Sequence, residues 1–229
     1  MSYYDNVNPT LFEQVTAQMK HLGELGCGAG QFARAVRETY APERYVGVDV
    51  AQGPLAAAAP WLDQSICADL NRVDDWSQHP QLRTLQDGSF DCWVVGDVLE
   101  HLVEPERALA GIHSSLKPSG TLLACIPNVR NWEVMLQLLK GSWPRQEAGI
   151  FDRTHLRWFT RTDMIQMIAK AGFAIDKVVY RKLADDRIVE FLEFFEPVCD
   201  YLGTSYDEFM DEAQVVQYVI VARKTAAET

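Results

Sequence analysis

A glycine-rich loop, Glu24-Leu25-Gly26-Cys27-Gly28-Ala29-Gly30, follows a short apolar run near the start of the chain. Glycines at alternate positions let the backbone turn tightly and let a ligand lie against the main chain, because no Cβ atoms intervene. A dinucleotide fingerprint has a glycine at its sixth position, where this chain has Gln31, so the loop disfavours NAD. The Glu24 carboxylate would repel a diphosphate but suits a cofactor that carries an ammonium group.

Two aspartates follow the next apolar runs. Asp49 lies 19 residues beyond Gly30, about where a nucleotide-binding unit of this kind carries its ribose-binding acid. We therefore interpret Asp49 as a ligand of ribose hydroxyls. Asp69 comes after a third run, and such an aspartate, taken alone, is more often a helix cap or a turn residue.

A histidine follows the apolar run Phe90–Gly96. His101 is expected at the carboxyl edge of the sheet, where ligands of parallel sheets bind, and a neutral imidazole can take a proton at physiological pH. His101 is therefore the leading candidate for a general base. An equally weighted alternative is that it orients the next helix or packs on a cofactor. Glu100 is a doubtful partner for it, because consecutive side chains on a helix diverge.

A second cluster of charged and aromatic residues lies in segments 127–132 and 151–160. Guanidinium forks and large aromatic rings suit a polar acceptor held against a hydrophobic wall, so we expect Arg153, Arg157 and Trp132 to bind substrate. His155 is the second candidate base. The alternative is a structural corner in which Asp152 pairs with Arg157 and the aromatic rings belong to the core.

The elements that must position these residues alternate along the first two-thirds of the chain, which is typical of a parallel sheet covered by helices. Strands are predicted at Leu22–Leu25, Tyr45–Val48, Ser65–Ala68, Phe90–Gly96, Gly120–Ile126, Phe173–Arg181 and Gln214–Ala222. Helices are predicted at Pro9–Met19, Gly30–Thr39, Pro54–Ala59, Pro105–Leu116 and Thr162–Ala171, the last with Gly172 as its C-cap. The predicted fold is α/β, doubly wound, with a mostly parallel seven-stranded sheet and a C-terminal antiparallel strand.

Two insertions interrupt this pattern within a single domain of residues 1–229. Residues 127–160, after strand five, are expected to form a loop or short-helix lid over the substrate. Residues 184–213, between the last two strands, hold ten acidic residues and one arginine and are expected to form an amphipathic helix with a solvated acidic face. A Tyr3-Tyr4 pair near the start of the chain is a further candidate to cover the cofactor.

The motifs, in their order, resemble the class I, Rossmann-like S-adenosylmethionine-dependent methyltransferase family. The matching segments are Glu24–Gly30, Tyr45–Val50, Cys67–Leu70, Phe90–Leu102 and Leu116–Leu122. The resemblance implies that S-adenosylmethionine is the cofactor, that Asp49 accepts the ribose hydroxyls and that Asp69 receives the exocyclic amine of adenine. The cofactor-binding residues it implies are Glu24, Gly26, Cys27, Gly28, Gly30, Asp49, Val50, Asp69, Leu70, Gly96 and Asp97.

Residues 151–160, with 127–132 before them, are similar to a segment of bacterial methyltransferases associated with surface-polysaccharide synthesis. The chain resembles the ubiquinone and methionine-pathway methyltransferases more distantly. The resulting hypothesis is O-methylation of a small-molecule or saccharide hydroxyl with histidine assistance. The alternatives are a non-catalytic S-adenosylmethionine-binding partner subunit, N- or C-methylation of a small metabolite, and a nucleotide-dependent reductase, against which Gln31 argues.

Composition limits the other partners. A formal net charge of −11 over 229 residues, with no basic stripe, argues against a nucleic-acid substrate. No apolar run is long enough to span a bilayer and no secretory signal pattern is present, so a cytoplasmic protein is expected. Five scattered cysteines predict reduced core thiols, and no ligand spacing predicts a metal site. A homodimer is compatible with these features.

Overall fold

Seven strands form one sheet in the computed structural model, which describes residues 7–183 and 187–226. They are β1 (His21–Leu25), β2 (Arg44–Asp49), β3 (Gln64–Cys67), β4 (Phe90–Gly96), β5 (Leu116–Pro127), β6 (Phe173–Lys182) and β7 (Val215–Lys224). Their order is β3-β2-β1-β4-β5-β7-β6, and β7 runs antiparallel to both of its neighbours. The predicted mostly parallel α/β sheet with a C-terminal antiparallel strand is confirmed.

Helices occupy the crossovers between the strands and both insertions. In chain order they are α1 (Pro9–Phe12), α2 (Gln31–Tyr40), α3 (Gln52–Ala58), α4 (Pro105–Ser115), α5 (Trp132–Leu139), α6 (Arg161–Lys170), α7 (Arg187–Glu193), α8 (Glu196–Leu202) and α9 (Tyr206–Ala213). Short 3-10 turns follow β3 and β4, at residues 70–72 and 99–101. The start of α6 is fixed by a capping box between Thr160 and Asp163. Gly172 lies just past its end at φ +90°, as predicted.

The core lies on both faces of the sheet, because a central parallel strand is covered on each side. Successive residues of β4 alternate between the two layers: Trp93 packs with Trp76 in one, and Val94 packs with Tyr45 in the other. All four side chains are at most 2% exposed. The sheet is therefore held rigidly at its centre, directly below the edge where β1, β2 and β4 end.

The predicted helix Pro9–Met19 is wrong in length, because α1 ends at Phe12. Beyond it the backbone bonds span three residues, from the Val15 amide to the Phe12 carbonyl and from the Met19 amide to the Thr16 carbonyl. Val15 is 3% exposed and packs on the same face of the sheet as the helix residue Leu11. Burying both side chains against the sheet bends the chain into successive turns, so packing overrides the helical pattern.

The single amphipathic helix predicted within residues 184–213 is also wrong, since this segment contains the three helices α7, α8 and α9. Pro197 lies in the first turn of α8, and Gly203 ends that helix at φ +66°. Both residues are ordinary helix boundary signals that the apolar spacing masked. The inward side of α7 nevertheless agrees with that spacing, because Ile188 and Leu192 are buried at 3% and 0% exposure.

Other predictions concern the cysteines, the N-terminal tyrosines and the membrane. Every cysteine is a free thiol, and Cys27, Cys92, Cys125 and Cys199 are buried, whereas Cys67 at the end of β3 is exposed. The Tyr3-Tyr4 pair lies outside the described residues. Within 7–183 and 187–226, every helix is too short or too polar to cross a lipid bilayer.

The packing of α4 on Trp76 can be tested with alanine at Gly111. Alanine normally stabilises a helix interior relative to glycine by about 0.5–1 kcal/mol. A Cβ at Gly111, however, would lie 2.2 Å from the Trp76 ring, whereas a Cβ at Gly53 in α3 would meet nothing within 4 Å. We expect G111A to lower the free energy of unfolding by about 1–3 kcal/mol. The matched variant G53A adds no contact of this kind outside its chain neighbours, so it should lose less stability than G111A even though Pro54 follows it. Urea denaturation compares them, and equal stability of the two variants would contradict the described contact.

Candidate active site

A cavity of about 950 Å³ opens at the carboxyl edge of the parallel strands. This volume is near the upper end of the range typical of small-molecule sites. Its walls come from the loops that follow β1, β2, β3 and β4, from lining residues between 146 and 155, and from the end of β6 and the start of β7. The cavity has two halves, one beside the glycine loop and one beside the candidate bases His101 and His155.

The glycine loop between β1 and α2 adopts a backbone that requires glycine. Gly26, Gly28 and Gly30 have φ values of +69°, +49° and +80°, a region that residues with a Cβ rarely adopt. Gly26, Cys27 and Gly28 line the cavity. Gly30 lies behind them as the N-cap of α2, where a Cβ would meet Ala58 at 2.9 Å. Gly30 therefore shapes the loop rather than the cavity surface.

Asp49 connects the end of β2 to this loop. Its carboxylate accepts hydrogen bonds from the backbone N–H groups of Gly28 and Ala51, both at 2.8 Å. Each carboxylate oxygen has a second acceptor site, so Asp49 can still accept hydroxyl donors from a ligand in the cavity. Val50 lines the cavity beside it and is 63% exposed. The predicted ribose acid thus lies at the cavity wall in a fixed orientation.

Glu24 is the buried acid of the glycine-loop half, at 6% exposure. The Tyr45 hydroxyl donates a hydrogen bond to its carboxylate at 2.8 Å. Burial raises the pKa of Glu24 to about 7, and the Tyr45 bond opposes this effect only in part. A carboxylate in this setting favours a cationic neighbour, because the neighbour would replace the solvation that burial removes.

Asp69 and Leu70 line the cavity after β3. The Asp69 carboxylate accepts the Asn71 N–H at 3.1 Å and pairs with Arg72 at 3.2 Å, so it is the cap of the 3-10 turn over residues 70–72. The contacts of Asp69 are thus those of the helix cap that was the alternative interpretation. Its position at the cavity wall leaves the predicted adenine contact open.

Gly96 ends β4, Asp97 follows it, and both line the cavity. Asp97 has φ +54° and accepts a hydrogen bond from Gln217 at 2.5 Å, and Arg181 donates to the same Gln217 at 2.5 Å. Burial raises the pKa of Asp97 to about 6, against the lowering effect of Arg181. Sequence reasoning missed Arg181 and Gln217. The sequence signal for them was their position, because Arg181 lies near the end of the predicted strand β6 and Gln217 near the start of β7.

His101 is oriented by the segment that follows β5. Its Nδ1 atom lies 3.2 Å from the Thr154 carbonyl oxygen and 3.1 Å from the Thr154 hydroxyl. That hydroxyl donates in turn to the Asp152 carboxylate at 2.6 Å. These contacts engage Nδ1 and leave Nε2 as the ring nitrogen available to a ligand.

His155 lies against His101, with 4.7 Å between the ring centroids. Its Nδ1 contacts the Ile150 carbonyl oxygen at 3.2 Å, and its Nε2 lies 3.9 Å from the Glu100 carboxylate. Burial lowers the pKa of His155, and the neighbouring His101 adds to that effect. Burial also raises the pKa of Glu100 well above its ordinary value. Glu100 therefore faces His155, which no local pattern indicated.

The three predicted substrate-binding residues lie in different places. Arg153 lines the cavity and pairs with Glu147 at 3.0 Å. Arg157 lies outside the lining and donates to the Val103 carbonyl, while Asp152 bonds Thr154, so the predicted Asp152–Arg157 pair does not form. Trp132 lies away from the cavity, 8% exposed, in a core cluster with the helices of the acidic segment. The structure places Arg153 at the cavity wall with the histidines, whereas Trp132 and Arg157 lie outside the lining.

Comparisons with known proteins agree with this architecture. A profile of the methyltransferase domain family matches residues 9–178. A malonyl-[acyl-carrier protein] O-methyltransferase of Brevibacillus brevis is 25% identical over 76% of this chain and 63% of its own length. A ubiquinone biosynthesis O-methyltransferase of Coxiella burnetii is 27% identical over 57% and 53%. The matches therefore span between about half and two-thirds of these two relatives.

The fold recurs in a crystal structure of an S-adenosylmethionine-dependent methyltransferase from Mesorhizobium loti. That structure has a TM-score of 0.61 at 20% identity and covers 94% of this chain and 96% of its own. The chain belongs to the methyltransferase domain family. Its predicted class, the Rossmann-like S-adenosylmethionine-dependent methyltransferases, is confirmed.

The buried state of Glu24 predicts how stability depends on pH. Its pKa in the folded protein, about 7, is above the value of 4.5 for an exposed glutamate, so the folded state holds the proton more tightly. Stability therefore falls as pH rises from about 4.5 to about 7, with a total loss on the order of 3 kcal/mol. The variant E24Q has no proton to lose there, and its free energy of unfolding should decline less over this interval.

Urea denaturation between pH 5 and 8 measures this difference in slope. The matched control is E106Q, because Glu106 is an exposed residue of α4. Its stability should follow that of the wild type. Parallel curves for the wild type and E24Q would show that the Glu24 carboxyl is not buried as described.

Proposed function

We propose that the chain transfers the methyl group of S-adenosylmethionine to a hydroxyl oxygen of a small-molecule or saccharide acceptor, assisted by His101 and His155. One observation supports this proposal most strongly. Two imidazoles from segments 54 residues apart line the same cavity as the glycine loop and Asp49. The cavity thus combines a nucleotide-type half with a half suited to handling a proton.

In the first half, the loops after β1 to β4 would hold the cofactor. Glu24 would face its ammonium group, the backbone at Gly26–Gly28 would pass along its amino-acid portion, and Asp49 would accept the ribose hydroxyls. This assignment is supported by the burial of Glu24, the left-handed loop backbone and the fixed orientation of Asp49. The remaining proposed contacts are Val50, Asp69, Leu70, Gly96 and Asp97, all of which line the cavity.

The chemistry proposed is an in-line displacement. The acceptor oxygen forms a bond to the methyl carbon, the carbon–sulfur bond breaks, and S-adenosylhomocysteine is the leaving group. The hydroxyl proton must also be removed, and this is where the histidines assist. The sulfonium supplies the reactivity, so the protein contributes alignment and help with the proton.

The second half of the cavity is proposed to hold the acceptor. Phe151 supplies an apolar surface, and Arg153 and Arg181 supply polar donors at the wall. Residues 127–160 would act as the lid over this half, because they carry His155 and most of these side chains. The relatives described as O-methyltransferases support oxygen as the acceptor atom.

Cofactor binding is tested by calorimetry with S-adenosylhomocysteine. The variant D49N should bind roughly 10–100-fold more weakly than the wild type, because it removes a charged acceptor of ribose hydroxyls. The matched control is D176N, since Asp176 pairs with Arg223 outside the cavity lining. Absence of binding to the wild type, or unchanged affinity in D49N, would overturn the placement of the cofactor.

Histidine assistance is tested by turnover on a panel of hydroxylated small molecules and saccharides. We expect H101Q and H155Q each to lower kcat by roughly 10²–10⁴-fold while S-adenosylhomocysteine affinity stays unchanged. H79Q is the control, because His79 lies outside the cavity. Methylation confined to amine or carbon acceptors would exclude O-methylation. Cofactor binding by the wild type with no turnover on any acceptor would favour the non-catalytic subunit.

A further inference from the structure

Both histidines of the cavity present the same ring nitrogen. The Nδ1 atom of His101 contacts the Thr154 carbonyl oxygen, and the Nδ1 atom of His155 contacts the Ile150 carbonyl oxygen, each at 3.2 Å. A carbonyl oxygen only accepts hydrogen bonds, so these contacts favour the tautomer with the proton on Nδ1. In that tautomer each Nε2 carries a lone pair. Metal-binding histidines are held in this way, with the second ring N–H donated to a carbonyl or carboxylate.

A carboxylate of unusual environment lies beside them. Glu100 is 1% exposed, and both of its carboxyl oxygens are buried without a hydrogen-bond partner. Leaving such a group unpaired in the interior is costly, and buried polar groups in native proteins normally have a partner. The Glu100 carboxylate points to His155 Nε2, which is itself a lone-pair donor, at 3.9 Å. The Glu100 carboxyl group and His155 Nε2 therefore face each other at a distance too long for a hydrogen bond.

We infer that Glu100, His101 and His155 form a binding site for one divalent transition-metal cation of the zinc type. One donor atom from each residue lies within 4.8 Å of the other two. Donors held about 2.0–2.2 Å from a shared zinc ion are at most about 4.4 Å apart, so small side-chain rotations bring all three into range. Two histidines and one carboxylate leave further coordination positions open for water or a substrate oxygen.

The surroundings favour a cation of this class. The carboxylates of Asp97 and Asp152 add negative charge near Glu100. Asp152 also accepts a hydrogen bond from the Thr154 hydroxyl, and that hydroxyl contacts Nδ1 of His101. These contacts orient the His101 ring so that its Nε2 is free to bind the cation. Imidazole nitrogens select zinc and its neighbours over magnesium or calcium, which prefer oxygen ligands. Because His155 belongs to the segment 127–160, the site is complete only when that segment is in place.

This inference rests on the proposed function and specifies how the two histidines assist it. All three side chains line the acceptor half of the cavity. A cation held there would face the acceptor hydroxyl and lower its pKa, so that the proton leaves to solvent before the oxygen attacks the methyl group. The sequence has no ligand spacing for such a site, because Glu100 and His101 meet His155 only in the folded chain.

The test is direct metal binding to the full chain, independent of activity. Protein freed of metal with a chelator is titrated with Zn²⁺ and with Mg²⁺ by calorimetry, and with Co²⁺ by visible absorption. We expect one Zn²⁺ or Co²⁺ per chain, cobalt absorption bands of a nitrogen- and oxygen-ligated ion, and no comparable binding of Mg²⁺. Bound metal should also raise the thermal unfolding temperature.

The variants E100Q and H155Q should each weaken Zn²⁺ binding at least about tenfold. E100Q replaces the unpartnered carboxylate by a neutral amide of the same shape, so it should stay folded, and S-adenosylhomocysteine binding checks this. The controls are E147Q, a carboxylate on the rim of the same cavity, and H79Q outside it. They should bind Zn²⁺ as the wild type does.

Two outcomes would overturn the site: no stoichiometric Zn²⁺ or Co²⁺ binding by folded protein, or equal binding by E100Q and the wild type. In either case, loss of turnover in H101Q and H155Q would leave the histidines as bases and the proposed function intact. Stoichiometric zinc binding that E100Q abolishes, with no turnover on any hydroxyl acceptor, would support the site while the O-methylation proposal fails.

Discussion

The parallel pairing of β1 with β2 on one side and with β4 on the other is the constraint on which the site depends. These pairings bring the ends of three strands, at Leu25, Asp49 and Gly96, to one edge of the sheet. The loops that follow them must then share one volume. The hydrogen bond from the Gly28 amide to the Asp49 carboxylate fixes two of these loops to each other. A cofactor can therefore be recognised by side chains that are widely separated in sequence.

The half of the cavity beside the two histidines depends on a different set of bonds, which join the turn after β4 to the insertion after β5. The Glu100 carbonyl oxygen accepts the backbone N–H groups of both Leu156 and Arg157, at 2.8 and 3.0 Å. The Arg157 guanidinium donates to the Val103 carbonyl, and Thr154 contacts His101. These bonds hold the insertion against the edge of the sheet. The same contacts that close the cavity therefore also orient its two imidazoles.

Both halves of the cavity keep a carboxyl group in a setting that does not favour folding. Glu24 and Glu100 are buried at 6% and 1% exposure, and burial raises the pKa of each. Burial of large apolar side chains elsewhere in the core, such as Trp76 at 2% exposure, offsets free energy lost in this way. A buried acid beside an open cavity is a typical sign of a functional site, because a ligand can provide the missing partner.

The sequence by itself determined the fold class, the order of the strands along the chain and the glycine-loop half of the site. These signals lie close together in the sequence. They are the spacing of apolar residues, the spacing of the glycines and the 19 residues that separate Asp49 from Gly30. The same local signals misjudged α1, where burial of Val15 bends the chain, and the acidic segment, where Pro197 and Gly203 divide the helix.

Only the tertiary structure decided which residues meet in the half of the cavity beside the histidines. His101 and His155 were separate candidates in the sequence, and Trp132 stood among the expected substrate contacts. The structure makes the histidines neighbours and buries Trp132 against the acidic helices. Such contacts join residues more than 50 positions apart, and they follow from how the insertions pack on the finished sheet. No local period or propensity carries that information.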